Sequence, residues 1–235
     1  LKFCQSEKKI QVMGPHLARE LRGNTIINVV GIRREESTGR SKTEVAKLDT
    51  RFAKPDNRHG TRMMLWHPGV EMLEDEVFDI NRQDGVPLSP SYGMGATRHS
   101  CAMCIMASIN DLQVGAQAHP WLYRHYVEME ASTTFSFQAG RWLADVRPEL
   151  LSDGLMADID RAKVKFAERR EIEAALPAQH RFVKGWPLHL PTLEEAEQIA
   201  AGRTRILAHH GAENNYPTGR AVRDRFAELL AMKNT

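Results

Sequence analysis

Apolar residues recur every three to four positions at Ile10, Met13, Leu17 and Leu21, which predicts a first helix over residues 6–21, with Gly14 and Pro15 weakening its middle. Gly23-Asn24 marks its stop. The run Ile26-Ile27-Asn28-Val29-Val30-Gly31-Ile32 is short, apolar and β-branched, the pattern of a strand buried on both faces in a parallel sheet. A charged loop follows at once. In open α/β sheets ligands bind beyond the carboxyl ends of the strands, so the loop after Ile32 is a candidate site. Met63, Met64, Leu65 and Trp66 suit a second strand over residues 61–66, and Met72, Leu73, Val77, Phe78 and Ile80 suit an amphipathic helix over residues 70–81. Pro87 and Pro90 close that unit.

After the glycine-rich stretch Tyr92-Gly93-Met94-Gly95, residues 101–112 are apolar enough for a buried helix, and residues 121–131 read as another. Past Pro148 the pattern changes. Residues 155–176 are long, charged and alanine-rich, with Ile159, Ala162, Phe166 and Ile172 on one helical face. A linker over 177–191 carries proline and tryptophan. Thr192 and Glu195 then have capping-box spacing for a helix over 193–201, and Val222, Phe226, Leu229 and Leu230 mark a last helix over 219–233. The expected fold is α/β, an open and mainly parallel sheet with flanking helices over residues 1–148, followed by a helical extension over 149–235.

Length and composition narrow the class. The 235 residues, 42% hydrophobic and 26% charged, have ordinary globular character. The longest apolar stretches, 26–32 and 102–109, fall well short of the roughly 18–20 residues of a membrane span, so no membrane partner is expected. A net charge of +2 gives no field from which nucleic-acid binding follows. Three cysteines are too few, and odd in number, for a disulfide framework, which points to a reducing cytoplasm.

Chemistry concentrates in Gly31-Ile32-Arg33-Arg34-Glu35-Glu36-Ser37-Thr38-Gly39-Arg40. Three guanidinium forks suit phosphate or sulfate oxygens, and the carboxylates would hold the arginines in place; a solvated charged turn is the alternative. The stretch resembles the Gly-hydrophobic-Arg-x-Glu-Glu-Ser-x-x-Arg motif of phosphoadenosine-phosphosulfate reductase-like proteins, with Gly31, Ile32, Arg33, Glu35, Glu36, Ser37 and Arg40 in register. Trp66 with Asp79-Ile80, then the run from Gly85 to Tyr92, and then Gly95-Ala96-Thr97-Arg98-His99-Ser100-Cys101-Ala102-Met103-Cys104 follow in that family's order. The last is similar to the family's Gly-x-x-Arg-x-Gly-Cys-x-x-Cys segment, with Ser100 in place of glycine. Cys4-Gln5-Ser6-Glu7-Lys8-Lys9-Ile10 resembles the Cys-Thr-x-x-x-Lys-Ile element of phage, DNA-phosphorothioation and CRISPR-associated relatives.

The resemblance covers about residues 1–130 and implies an adenine-nucleotide α-hydrolase-like fold that binds ATP or a related adenine nucleotide. It implies nucleotide or anion contacts from Lys9, Arg33, Arg34, Glu35, Glu36, Ser37, Arg40 and Arg98. Two departures matter. The family's Ser-Gly-Gly-x-Asp-Ser phosphate loop is not in this sequence, which opens on Leu1 inside a family element, so a preceding portion is expected. The Glu-Cys-Gly-hydrophobic-His segment of true sulfonucleotide reductases is also missing, and no cysteine follows Cys104.

Relatives hold an iron–sulfur cluster with cysteines at these places, which implies Cys4, Cys101 and Cys104 as thiolate ligands; zinc with His99 as a fourth ligand, and metal-free core or redox cysteines, are the alternatives. Adjacent His209-His210 cannot share a helix face and fit a solvated helix end. Trp121, Tyr123, Tyr126 and Phe135 read as core rather than base-stacking platforms. Arg161, Lys163, Lys165, Arg169 and Arg170, interleaved with acids, read as a solvated helix face. Three functions stay in view: a nucleotide-dependent sulfur-transfer or adenylylating enzyme, a sulfonucleotide reductase, and a non-catalytic accessory subunit of a defence or mobile-element complex. A nucleic-acid or protein acceptor and a homo-oligomeric state are further expectations.

Overall fold

A computed structural model of the chain describes residues 4–50 and 58–233. The protein is α/β and divides into two compact units, Leu1–Leu88 and Ser89–Thr235. The expected change of character near Pro148 falls inside the second unit, because one hydrophobic cluster contains Val146 and Ile159 together.

In the first unit a π-helical turn, Cys4–Ile10, runs into helix α1, Gln11–Glu20, which carries Pro15 in its interior. Gly23, with φ of 70°, supplies the left-handed turn that L side chains resist and sends the chain into strand β1, Thr25–Val29. Strand β2, Ala46–Leu48, and strand β3, Arg62–Trp66, complete a sheet of order β1-β3-β2. Strand β1 is parallel to β3, with Ile26 opposite Met63 and Asn28 opposite Leu65, whereas β2 is antiparallel to β3. The sheet is therefore small and mixed. Residue 26–32 was expected to form a strand buried on both faces, and it does not. The strand ends at Val29, lies at the sheet edge, and leaves Ile27 and Val29 60% and 56% exposed. A β-branched run specifies extended backbone without specifying that both faces are covered. Its other face looks toward α1, and the buried Thr61 hydroxyl fastens the end of that helix by donating to the Ala18 carbonyl at 2.9 Å. Helix α2, Glu74–Gln83, follows β3 and opens on three acids, Glu74, Asp75 and Glu76, which suit the positive end of a helix.

The second unit is helical: α3, Pro90–Gly93; α4, Ile109–Ala118; α5, Pro120–Thr133; α6, Asp153–Ala175; α7, Leu193–Ala208; and α8, Gly219–Ala231. Ser108, Ser152, Thr192 and Thr218 cap α4, α6, α7 and α8, each accepting from the backbone N–H three residues on. Thr192 and Glu195 form the reciprocal box that their spacing predicts. The helix expected over 101–112 starts only at Ile109. Residues 101–107 are instead a loop, with Gln138 Nε2 donating to the carbonyls of Ile105 and Ala107 at 2.9 Å each. One core gathers Leu112, Ala116, Tyr123, Val127, Leu143 and Ile159; a second gathers Ala196, Ile199, Val222 and Phe226. Among the described residues no helix is long and apolar enough to cross a membrane.

Tyr123 is fully buried and its hydroxyl bonds to the Leu143 carbonyl at 3.0 Å while accepting from the Arg147 N–H at 3.1 Å. Burial pushes its phenol up to about 12. A raised folded value means that the group's contribution is whole below the ordinary value of 10 and is lost as pH rises through about 12. Denaturation midpoints measured between pH 10 and 12 should fall in the native chain and stay flatter in Tyr123→Phe.

Candidate functional site

Because β1 and β3 are parallel, their carboxyl ends lie on one edge of the sheet, and the loops that leave them are tied together. The Arg34 N–H donates to the Val70 carbonyl at 2.9 Å. A 3-10 turn, Arg34–Glu36, shapes the loop after β1, and the Glu36 carboxylate accepts from the Arg33 N–H at 3.3 Å. Arg33 donates from Nε to Glu35 at 3.2 Å and from Nη2 to Glu74 at 3.1 Å. Arg34 gives two bonds to the Thr43 carbonyl, at 3.0 and 2.9 Å, and pairs with Glu71. Arg40 pairs with Glu36, and its N–H donates to the Ser37 hydroxyl at 3.3 Å. Arg33 and Arg40 thus share Glu36, with Glu35, Glu74 and Ser37 beside them, and Arg34 pairs with Glu71, so that in this loop network three guanidinium groups face four carboxylates.

Glu71 and Glu74 were not singled out from the sequence. Glu74 carries the ordinary preference of acids for the start of a helix, which does not name an arginine partner, and Glu71, in the turn before α2, carries no such signal. Lys9 is exposed at the end of the π-helical turn. Arg98 belongs to the second unit, where its guanidinium donates to the Met106 carbonyl at 2.5 Å and lies 3.8 Å from Asp111.

A cavity of about 570 Å³ lies within the first unit between α1 and the inner face of the sheet. Ile10, Met13 and Leu17 line one side, and Asn28, Asp49 and His67 line the other. Ile32 and Thr43, which flank the arginine network, also border it. His67 is the first residue beyond β3 and is only 2% exposed. Its Nδ1 must carry the proton, since it sits 2.7 Å from the Glu44 carbonyl, an acceptor only; in the neutral ring Nε2 is then a lone-pair acceptor. A polar residue closing the apolar run Met63–Trp66 was the available sequence signal for it.

The cysteine segment is held differently. Asp111, nearly buried on α4, accepts from the Thr97 N–H at 2.7 Å and from the Thr97 hydroxyl at 3.0 Å. Burial by itself would raise the Asp111 carboxyl, but the bonds from Thr97 and Ser108 and the nearby Arg98 charge outweigh it and hold it below the ordinary carboxylate value. Asn110 donates to the Gly95 carbonyl at 2.6 Å. Cys101 is exposed, and half-buried Cys104 accepts from the Met106 N–H through sulfur at 3.4 Å. Cys4 is exposed and belongs to the first unit. His99 is engaged by the Ser89 hydroxyl at 2.9 Å through Nδ1. Among the described residues no three His, Cys, Asp or Glu side chains gather in a group that could hold a metal ion.

The other residues weighed from sequence divide plainly. Tyr123 is buried and Tyr126 packs against the core, but Trp121 and Phe135 are 65% and 55% exposed. His209 sits at the end of α7, 3.0 Å from Glu168. Arg169 departs from the solvated stripe: it is buried, donates to the Thr134 carbonyl at 3.3 Å and lies 3.6 Å over the Phe135 ring.

The chain matches no protein-family model, no curated protein and no solved structure.

Proposed function

We propose that the first unit binds the phosphates of an adenine nucleotide at the carboxyl-terminal edge of β1 and β3, in an enzyme that adenylylates an acceptor or transfers sulfur to it. The observation that carries this reading is the arginine network itself, placed at the edge where parallel strands present ligand sites and carrying the residues of the reductase-like motif. In this reading an incoming phosphate displaces the exposed Glu74 and Glu71 carboxylates, while Glu35 keeps the Arg33 fork oriented. An acceptor oxygen attacks the α-phosphorus and pyrophosphate leaves; a sulfur nucleophile then displaces AMP from the activated acceptor. Arg33, Arg34 and Arg40 stabilise the charge that develops on the phosphate. The acceptor, a nucleic acid or a protein, belongs to the same proposal.

The carboxylates also favour a second reading. An accessory subunit would keep this loop as a neutralised structural clasp with no nucleotide. Calorimetry with ATP separates the two. Each of Arg33→Ala and Arg40→Ala should weaken ATP binding about tenfold, the lower end for a bond to a charged group because a carboxylate must first be displaced. No binding to the native chain, or equal affinity in both variants, assigns the loop to the structural clasp.

A further inference from the structure

The second unit contains a larger cavity, of about 990 Å³, at the upper end of the roughly 300–1,000 Å³ typical of small-molecule sites. It is bounded by the end of α6, the segment 180–186, α7 and α8, none of which takes part in the arginine network.

Its walls are aromatic. Trp186 meets Phe226 edge to face at 4.9 Å, and its Nε1 is anchored to the His180 carbonyl at 3.0 Å. Phe182 stands 6.2 Å from Trp186 at the mouth and is 84% exposed, a large apolar side chain that the fold itself does not cover. The charge at the cavity is one-sided. Arg170 and Arg225 are matched by Glu173 and Glu228. Among the described residues Arg181 and Arg203 meet only neutral partners: the carbonyls of Ala174 and Leu176 for the first, Asn214 and the face of Tyr216 for the second.

The lining also holds an unsatisfied acceptor. His180 has a side chain only 3% exposed and gives Nε2 to Glu195 at 3.0 Å, so the proton is on Nε2 and in the neutral ring Nδ1 is a lone-pair acceptor. Its Nδ1 is buried without a hydrogen-bond partner. A buried acceptor left unpaired costs about 1–3 kcal/mol, which a donor from a bound molecule would recover once the ring turns Nδ1 toward the cavity. Apolar aromatic walls, an acceptor among them and two unbalanced guanidinium groups specify complementary features in one ligand.

We propose that this cavity binds a planar heteroaromatic molecule bearing a ring or amino N–H donor and, away from it, an acidic group. The ring packs against Phe182 and Trp186, the N–H donates to His180 Nδ1, and the acid meets Arg181 and Arg203. Nucleotides and indole acids share that chemistry.

Calorimetry on the full chain with AMP and with indole-3-acetate, and with benzoate as an acid lacking the donor, tests it. At least one of the first two should bind with a Kd of about 1 mM or tighter, and benzoate about tenfold more weakly, the worth of one unpaired hydrogen bond. Phe182→Ala and Arg203→Gln, both exposed and so compatible with folding, should each weaken the binding about five- to tenfold. In His180→Phe the preference over benzoate should vanish; should that variant not fold, the benzoate comparison on the native chain carries the same information. AMP counts only where its binding responds to Phe182→Ala and not to Arg33→Ala, which keeps this site distinct from the loop of the first unit. Failure of both probes by that standard, or affinities unchanged in Phe182→Ala and Arg203→Gln, overturns the proposal whatever becomes of the nucleotide reading.

Discussion

Glu130→Ala is expected to destabilise the second unit by about 3–5 kcal/mol, from buried N–H donors left without an acceptor at about 1–3 kcal/mol each. Glu130 lies on α5 and is 3% exposed, yet its carboxylate is fully used. It accepts from the N–H groups of Phe137 at 2.6 Å, Leu143 at 2.7 Å and Ala144 at 3.1 Å. The last two begin a 3-10 turn, Leu143–Asp145, whose first N–H groups have no partner inside the turn. Glu130 therefore acts as a remote cap, holding the connection between α5 and α6 against the core. Alanine would leave three donors without acceptors, two of them on residues no more than 1% exposed, at about 1–3 kcal/mol each before water or local movement relieves part of the loss.

The same residue has a signature in pH. Burial raises the Glu130 carboxyl above 4.5, more than the bonds from Leu143, Phe137 and Ala144 lower it, and Asp145 adds to the rise. With the folded value raised, the group's contribution is whole below 4.5 and is lost as pH rises through the folded value, so Glu130→Ala should also remove that part of the pH slope. Urea denaturation at several pH values checks both. A loss below about 1 kcal/mol would mean that the segment 137–147 finds other acceptors at little cost.

Elements defined by local rules were readable in advance. Ile159, Ala162 and Ile172 do lie buried along α6, and Thr192 with Glu195 does open α7, because helical period and cap spacing act within a few residues. Strand β2 was missed for the converse reason: Ala46-Lys47-Leu48 carries no β signal and is extended only because β3 offers it a ladder. The loop 101–107 looked helical from its apolar content, but Ser108 starts the helix and Gln138, some 30 residues away, supplies bonds to the loop. At the candidate site the arginines and their nearest glutamates were legible as a charged loop after a strand. Glu71, Glu74, His67 and Asp49 were not, since their roles depend on the parallel pairing of β1 with β3 and on the helix packed over that sheet. Sequence pattern names the element; only tertiary pairing names the partner.

Gly115→Ala tests one such pairing, and local propensity predicts its sign wrongly. Within a helix alanine is favoured over glycine by about 0.8–1 kcal/mol, so α4 considered alone should gain. In the folded chain a Cβ at Gly115 would lie 2.3 Å from the Ala102 carbonyl oxygen and 3.0 Å from its carbon, with Met103 Cε at 3.2 Å. Met103 can turn aside, but the Ala102 carbonyl is backbone. Around it, Asp111 holds Thr97 and Gln138 holds Ile105 and Ala107, so the loop has little freedom to withdraw. Overpacking of this kind costs about 1–3 kcal/mol and more where backbone must move, which should outweigh the propensity gain and leave a net loss of about 2 kcal/mol. The displaced segment carries Cys101 and half-buried Cys104, so the Cys104 thiol should also react faster with a disulfide reagent in Gly115→Ala than in the native chain. A raised denaturation midpoint with unchanged thiol kinetics would show that the loop yields freely and that the glycine is not required for its close approach to α4.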